Sequence, residues 1–135
     1  MKPPKTETME KDNYIPLKAL RVYQLSRKLS SIAWNIYSKM GFEDKKHIGD
    51  QLIRSTDSVG ANIAEGYSRF HYLDKVRFYY FARASQSEAT DHWLDLLLER
   101  NKIDQETFDE FILISKSLQV KLNNFIKSTK DEKEK

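Results

Sequence analysis

The sequence contains no cysteine. That excludes disulfides, thiol catalysis and cysteine-ligated zinc together. Its 4 glycines and 3 prolines supply too little turn chemistry for a many-stranded sandwich or barrel. No apolar run approaches the roughly 20 residues that a membrane-spanning helix needs. The opening run Met1-Lys2-Pro3-Pro4-Lys5 lacks the apolar stretch of a secretory signal, so a cytoplasmic location is expected. An excess of one charge sign is also missing. Lys and Arg number 23 against 20 Asp and Glu, a net charge of +3. That balance permits a nucleic-acid partner without demanding one.

What is present is enough for one domain. The 135 residues are 39% hydrophobic and 32% charged, which builds a core and leaves a wet surface. Residues 1–13 mix lysines and acids around a proline pair and bury almost nothing, so they read as a flexible tail. Residues 127–135 are nearly all charged and read as a second tail. The domain is therefore expected over residues 14–126.

Four stretches of helical periodicity fill it. The first, about Leu17 to Met40, places Val22, Leu25, Leu29, Ile32, Ile36 and Met40 at spacings of three and four, which lines one helix face. Pro16 suits its entrance, and Gly41 suits a left-handed stop. The second, about Asp44 to Arg69, carries Ile48, Leu52, Val59 and Ile63, with small Ser55 between them. The third, about Tyr72 to Arg100, is assigned the face Leu73, Val76, Tyr80, Ala84, Ser87, Leu94 and Leu98, with Asn101 closing it. The fourth starts at Asp104, a good N-cap, and repeats Phe108, Phe111, Ser115, Leu118, Leu122 and Phe125. Four rods of roughly 36 to 43 Å at 1.5 Å per residue, joined by short turns, give an all-α, antiparallel up-down-up-down four-helix bundle. Small residues cluster on helix 2 (Ser55, Ser58, Gly60, Ala61, Ala64) and on helix 3 (Ala82, Ala84, Ser85, Ser87, Ala89). These two helices are expected to touch there, with polar side chains caught between them.

Catalytic constellations are scarce. A di-iron bundle site uses Glu-x-x-His, whereas Glu88 and His92 are four apart, and His47 and His71 fall near expected helix ends. No metal or cofactor is expected. Nucleophile elbows and phosphate loops are missing, and no Arg precedes a His at the four-to-six spacing of a HEPN-type ribonuclease. The remaining polar set is Gln51, Arg54, Ser58, Asn62 and Glu65 on helix 2, with Ser85 and Glu88 on helix 3. Ser58, Asn62 and Glu65 share a face, and Arg54 is the natural partner for Glu65 or Glu88. This set reads as a structural hydrogen-bond network, so no enzyme is expected.

The segment 67–83 interleaves Arg69, Lys75, Arg77 and Arg83 with eight aromatic rings, His71 included. Cations beside aromatics suit single-stranded nucleic acid, which asks for phosphate neutralisation and base stacking. Four consecutive aromatics, 78 to 81, also force at least one ring outward, where it can meet another subunit. Tyr79 and Phe81 are the candidates for that role.

The run Gln51-x-x-Arg54-Ser55-x-x-Ser58-Val59-x-x-Asn62-Ile63-Ala64-Glu65-Gly66 resembles the signature of four-helix-bundle proteins encoded in 23S ribosomal RNA intervening sequences. It is also similar to the accessory variability determinant of diversity-generating retroelements. Phe78 with Ala82-Arg83-Ala84-Ser85-Gln86-Ser87-Glu88 agrees, with Ala84 where the family has Gly, as does Leu20-Arg21-Val22-Tyr23-Gln24. The resemblance covers about residues 17 to 126. It implies a homopentamer of bundles with no established enzymatic activity. In the retroelement branch it implies nucleic-acid binding and a reverse transcriptase partner. The expectation is thus a non-enzymatic oligomer whose ligand, if it has one, is RNA or single-stranded nucleic acid. The alternative is a structural or protein-protein interaction module with no nucleic-acid ligand.

Overall fold

The first helix packs as its spacing predicts. In the computed structural model, which describes residues 14–132, α1 runs Arg21–Ser38 and buries Val22, Leu25, Leu29, Ile32 and Ile36. A 3₁₀ turn over Leu17–Ala19, entered through Pro16, leads into it. The expected tail 1–13 lies outside the described residues. Gly41 does not take the left-handed stop expected of it. Its φ is −76°, extended backbone that starts the next helical segment, Phe42–Asp44. That segment passes through a π-helical turn, Lys45–Gly49, into α2, Asp50–Ser68.

The third rod departs from a uniform helix. α3 spans Tyr72–Ser87, then widens into a π-helical turn over Glu88–Leu94 and narrows again over Asp95–Glu99. The wider turn brings residues five apart together, and Trp93 Nε1 donates to Glu88 Oε2 at 2.8 Å. Asn101 closes the rod as expected. Its φ of 58° is left-handed, and Lys102 N–H reaches back to Leu97 O while Asn101 N–H reaches Leu98 O, the hydrogen-bond pattern of a Schellman motif.

The buried face of this rod is not the one assigned from sequence. Val76, Tyr79, Ala82, Gln86, Ala89, Leu94 and Leu97 are buried, while Leu73 is 66% exposed. Ala84 and Ser87 also face solvent, and Tyr80 is half-buried. The observed stripe keeps helical spacing except from Ala89 to Leu94, where the π-helical turn adds a residue.

α4 spans Gln105–Asp131 and is capped by Asp104, whose carboxylate accepts from Thr107 N–H at 2.8 Å. The helix therefore includes residues 127–131, which the sequence pattern assigned to a charged tail. Ile126 at the boundary and Thr129 beyond it are buried, and that burial carries the helix past the expected end. Residues 133–135 lie outside the described residues.

Close pairs fix the direction of each neighbour. A Cβ on Gly49 would meet Tyr37, and one on Gly60 would meet Ser26, so α1 and α2 run oppositely. Ser58 meets Ser85 and Gly66 meets Tyr79, so α2 and α3 do too. Tyr79 with Phe125 and Gln86 with Ser115 reverse α4 against α3. The described residues form an all-α, antiparallel up-down-up-down bundle. Helices α2 and α3 touch at Ser58 and Ser85, as the small-residue patches led one to expect. Gly60 instead faces α1, and Ala61 and Ala84 are exposed. No helix among the described residues is long and apolar enough to cross a membrane.

Candidate nucleic-acid interface

The polar set splits in two. Asn62 Nδ2 donates to Ser58 O at 2.8 Å and to Ser58 Oγ at 2.9 Å, and Ser85 Oγ donates to Ser58 Oγ at 3.0 Å. These three residues do form a network between α2 and α3. The pairing of Arg54 with Glu65 or Glu88 does not occur. Arg54 and Glu65 are eleven residues apart, about 16 Å along the helix. Glu65 is taken one turn away by Arg69, at 2.7 Å, and Glu88 holds Trp93. Gln51 and Arg54 are exposed and stand apart from the network. Among the described residues no three His, Asp or Glu side chains are placed to hold a metal ion.

The four cations expected to bind nucleic acid fall into different environments. Arg69 and Arg77 hold their guanidinium carbons 4.7 and 4.9 Å from the centroid of the Phe78 ring. Each also has a carboxylate: Glu65 for Arg69 and Asp74, at 3.4 Å, for Arg77. Lys75 turns inward, donating to Tyr67 O at 2.9 Å, and burial pushes its ammonium below its ordinary pKa. Of the three arginines in this set, exposed or half-exposed, Arg83 alone has no ion-pair partner among the described residues. Its Nη1 donates to Asn123 Oδ1 of α4 at 3.0 Å, and its guanidinium lies 4.8 Å from the Tyr80 centroid.

Arg83 leads to a surface that sequence reasoning missed. Lys130 Nζ lies 5.2 Å from the same Tyr80 ring. On α4 the exposed residues Lys116, Gln119, Asn123, Lys127 and Lys130 follow at spacings of three and four, so they share one face for about 21 Å. From Phe111 to Lys130 the chain has four lysines and no acid. That stretch without a counter-charge was the available signal. The neighbouring acids are confined to the first turns of α4 (Glu106, Asp109, Glu110) and to its end (Asp131 and the following Glu132). Half-buried Tyr80, Arg83 and this lysine face make one basic surface across α3 and α4, with an aromatic ring in it.

Apolar side chains are exposed on the same stretch of chain, with Arg77 between Leu73 and Phe81. Phe70 is 91% exposed, Leu73 66% and Phe81 46%, and Phe81 meets Phe78 edge-on at 5.7 Å. Tyr79, the other residue expected to face outward, is 1% exposed and belongs to the core.

Comparison with known proteins matches the chain to the 23S rRNA-intervening sequence protein family over residues 18–124. The chain belongs to that family. A crystal structure from Bacteroides thetaiotaomicron, described as a protein with unknown function from the S23 ribosomal protein family, resembles it with a TM-score of 0.72 at 26% identity. That likeness covers 78% of this chain and 95% of the other. No curated relative matches. The matched span takes in the Ser58–Asn62–Ser85 network, Arg83 and Lys116, while Lys127 and Lys130 lie beyond it.

Proposed function

We propose that this chain is a non-enzymatic, self-assembling member of the 23S rRNA-intervening sequence proteins that binds RNA or single-stranded nucleic acid in the cytoplasm. The observation that carries the reading is the α3–α4 face, where Arg83, Lys116, Lys127 and Lys130 have no ion-pair partner among the described residues and two of them, Arg83 and Lys130, lie against the half-buried Tyr80 ring. Phosphates release counterions on such a face, and an aromatic ring offers a base a stacking partner. Self-association multiplies the effect. Five copies, the number the family resemblance implies, raise +3 to about +15 and bring several weak contacts onto one strand. The exposed Phe70, Leu73 and Phe81 support self-association, since a partner surface would take these large apolar side chains out of water. A reverse transcriptase partner belongs to the same proposal, as the retroelement resemblance implies.

These exposed apolar side chains also favour a second reading, a protein-protein module with no nucleic-acid ligand. Titration of the protein into a fluorescent structured RNA at about 50 and 200 mM salt separates the two. Anisotropy that rises at the lower salt and collapses at the higher supports the basic face. Flat traces at both salts leave assembly alone.

A further inference from the structure

Between α3 and α4, beside Arg83, lies a cavity of about 120 Å³, room for about four waters at roughly 30 Å³ each. It opens where α3 passes into the π-helical turn Glu88–Leu94, a backbone irregularity concentrated at functional sites. Its lining includes Gln86, Thr90 and Ser115, with Arg83, Lys116 and one acid, Asp91, on the exposed side.

The inner groups are set by the fold. Gln86 and Ser115 are each 4% exposed. Gln86 Nε2 donates to Ser115 O at 2.6 Å and to Ser115 Oγ at 2.9 Å, which fixes the orientation of the amide. Gln86 Oε1 is left buried without a partner among the described residues. Thr90 Oγ1 lies 2.8 Å from Ser115 Oγ. One hydroxyl donates to the other there, and the remaining hydroxyl proton is available. The site therefore holds one unused acceptor and one unused donor in a place where unpaired polar groups are costly.

We propose that this cavity receives one unpaired base of the bound strand, its edge meeting Gln86, Ser115 and Thr90 while the adjoining phosphates lie on Arg83 and Lys116. The inference rests on the nucleic-acid reading above and narrows it to single strands. Every base edge presents a donor beside an acceptor, which complements the cavity. In a duplex those edges are already paired. The lysine face is indifferent to strandedness, so the cavity supplies the preference.

The test measures the intact protein by anisotropy against a fluorescent single-stranded RNA and a duplex of the same length, at about 50 and 200 mM salt. Thr90→Val keeps the shape and removes the hydroxyl; Ser115→Ala is the second variant, and melting curves confirm that both fold. Each is expected to weaken single-strand binding about tenfold while leaving duplex binding and the salt slope unchanged. Unaltered single-strand binding in folded variants overturns the cavity and leaves the basic face standing. Equal weakening on strand and duplex also overturns it. A wild-type protein that binds neither RNA at the lower salt overturns the nucleic-acid reading itself.

Discussion

Gly66 of α2 lies directly against Tyr79 of α3. A Cβ built on Gly66 would come within 2.7 Å of Tyr79 Cε1 and 3.0 Å of the Lys75 carbonyl oxygen. The first neighbour is a fully buried ring and the second is backbone, so neither yields cheaply. Gly66→Ala is expected to destabilise the bundle by about 1–3 kcal/mol, the usual range for overpacking. Thermal unfolding checks this: a melting temperature equal to wild type would show that the two helices can part at that point.

Tyr79 and Phe81 are two residues apart and have opposite roles. Tyr79 is 1% exposed and packs 4.9 Å from the Phe125 ring, centroid to centroid. Tyr79→Ala is expected to cost about 3–5 kcal/mol, as large-to-small aromatic changes in a core do. Phe81 is 46% exposed, so Phe81→Ala should change monomer stability by less than about 0.5 kcal/mol yet shift the protein toward smaller assemblies. Sedimentation of both variants beside their melting curves reads the two effects separately. An assembly unchanged in Phe81→Ala would remove that ring from the interface.

Three rods of the fold were legible because their apolar residues, with Ser55 and Ser115 standing in at one position each, repeat every three or four positions. The third was legible as a helix but not in its phase. Rings at 78, 79, 80 and 81 cover every direction around an axis, so their apolarity says nothing about which side is inside. The π-helical turn then inserts one residue between Ala89 and Leu94, and no fixed period spans it. The candidate site was misjudged for a related reason. Arg69 and Arg77 stood out because they are close together in sequence, yet Glu65 and Asp74, one turn away, pair with them and offset part of their charge. Lys116, Lys127 and Lys130 are spread through a regular apolar repeat, and only the fold sets them beside Arg83.

Asp104 gives α4 a pH-sensitive start. Hydrogen bonds from the Thr107 hydroxyl and backbone N–H hold its carboxyl below the ordinary aspartate value, and Lys39 adds to the effect. Because the folded state lowers this pKa, its stabilisation is fully present above the unfolded value of about 3.9 and is lost as the pH falls through the folded one. Asn caps a helix about as well as Asp without titrating. Asp104→Asn should therefore melt below wild type near pH 7 and converge with it as the pH drops below about 4. A gap that stays constant across that range would show that the carboxylate charge contributes nothing at this cap.

The two groups of cations make opposite predictions for binding. Arg69 and Arg77 already have carboxylates, so Arg69→Gln with Arg77→Gln removes charges that are half-compensated before any RNA arrives. Arg83 and Lys130 have no ion-pair partner among the described residues and share the Tyr80 ring. Each phosphate contact to a single strand contributes about 0.7 to the slope of log affinity against log salt. Arg83→Gln with Lys130→Gln should thus flatten that slope by about 1.4 for two lost contacts and weaken binding most at low salt. The first pair of substitutions should leave the slope nearly intact. Anisotropy at four or more salt concentrations distinguishes them. If the Arg69 and Arg77 variant loses the slope instead, the strand lies along the Phe78 ring, and the α4 lysines serve only solubility.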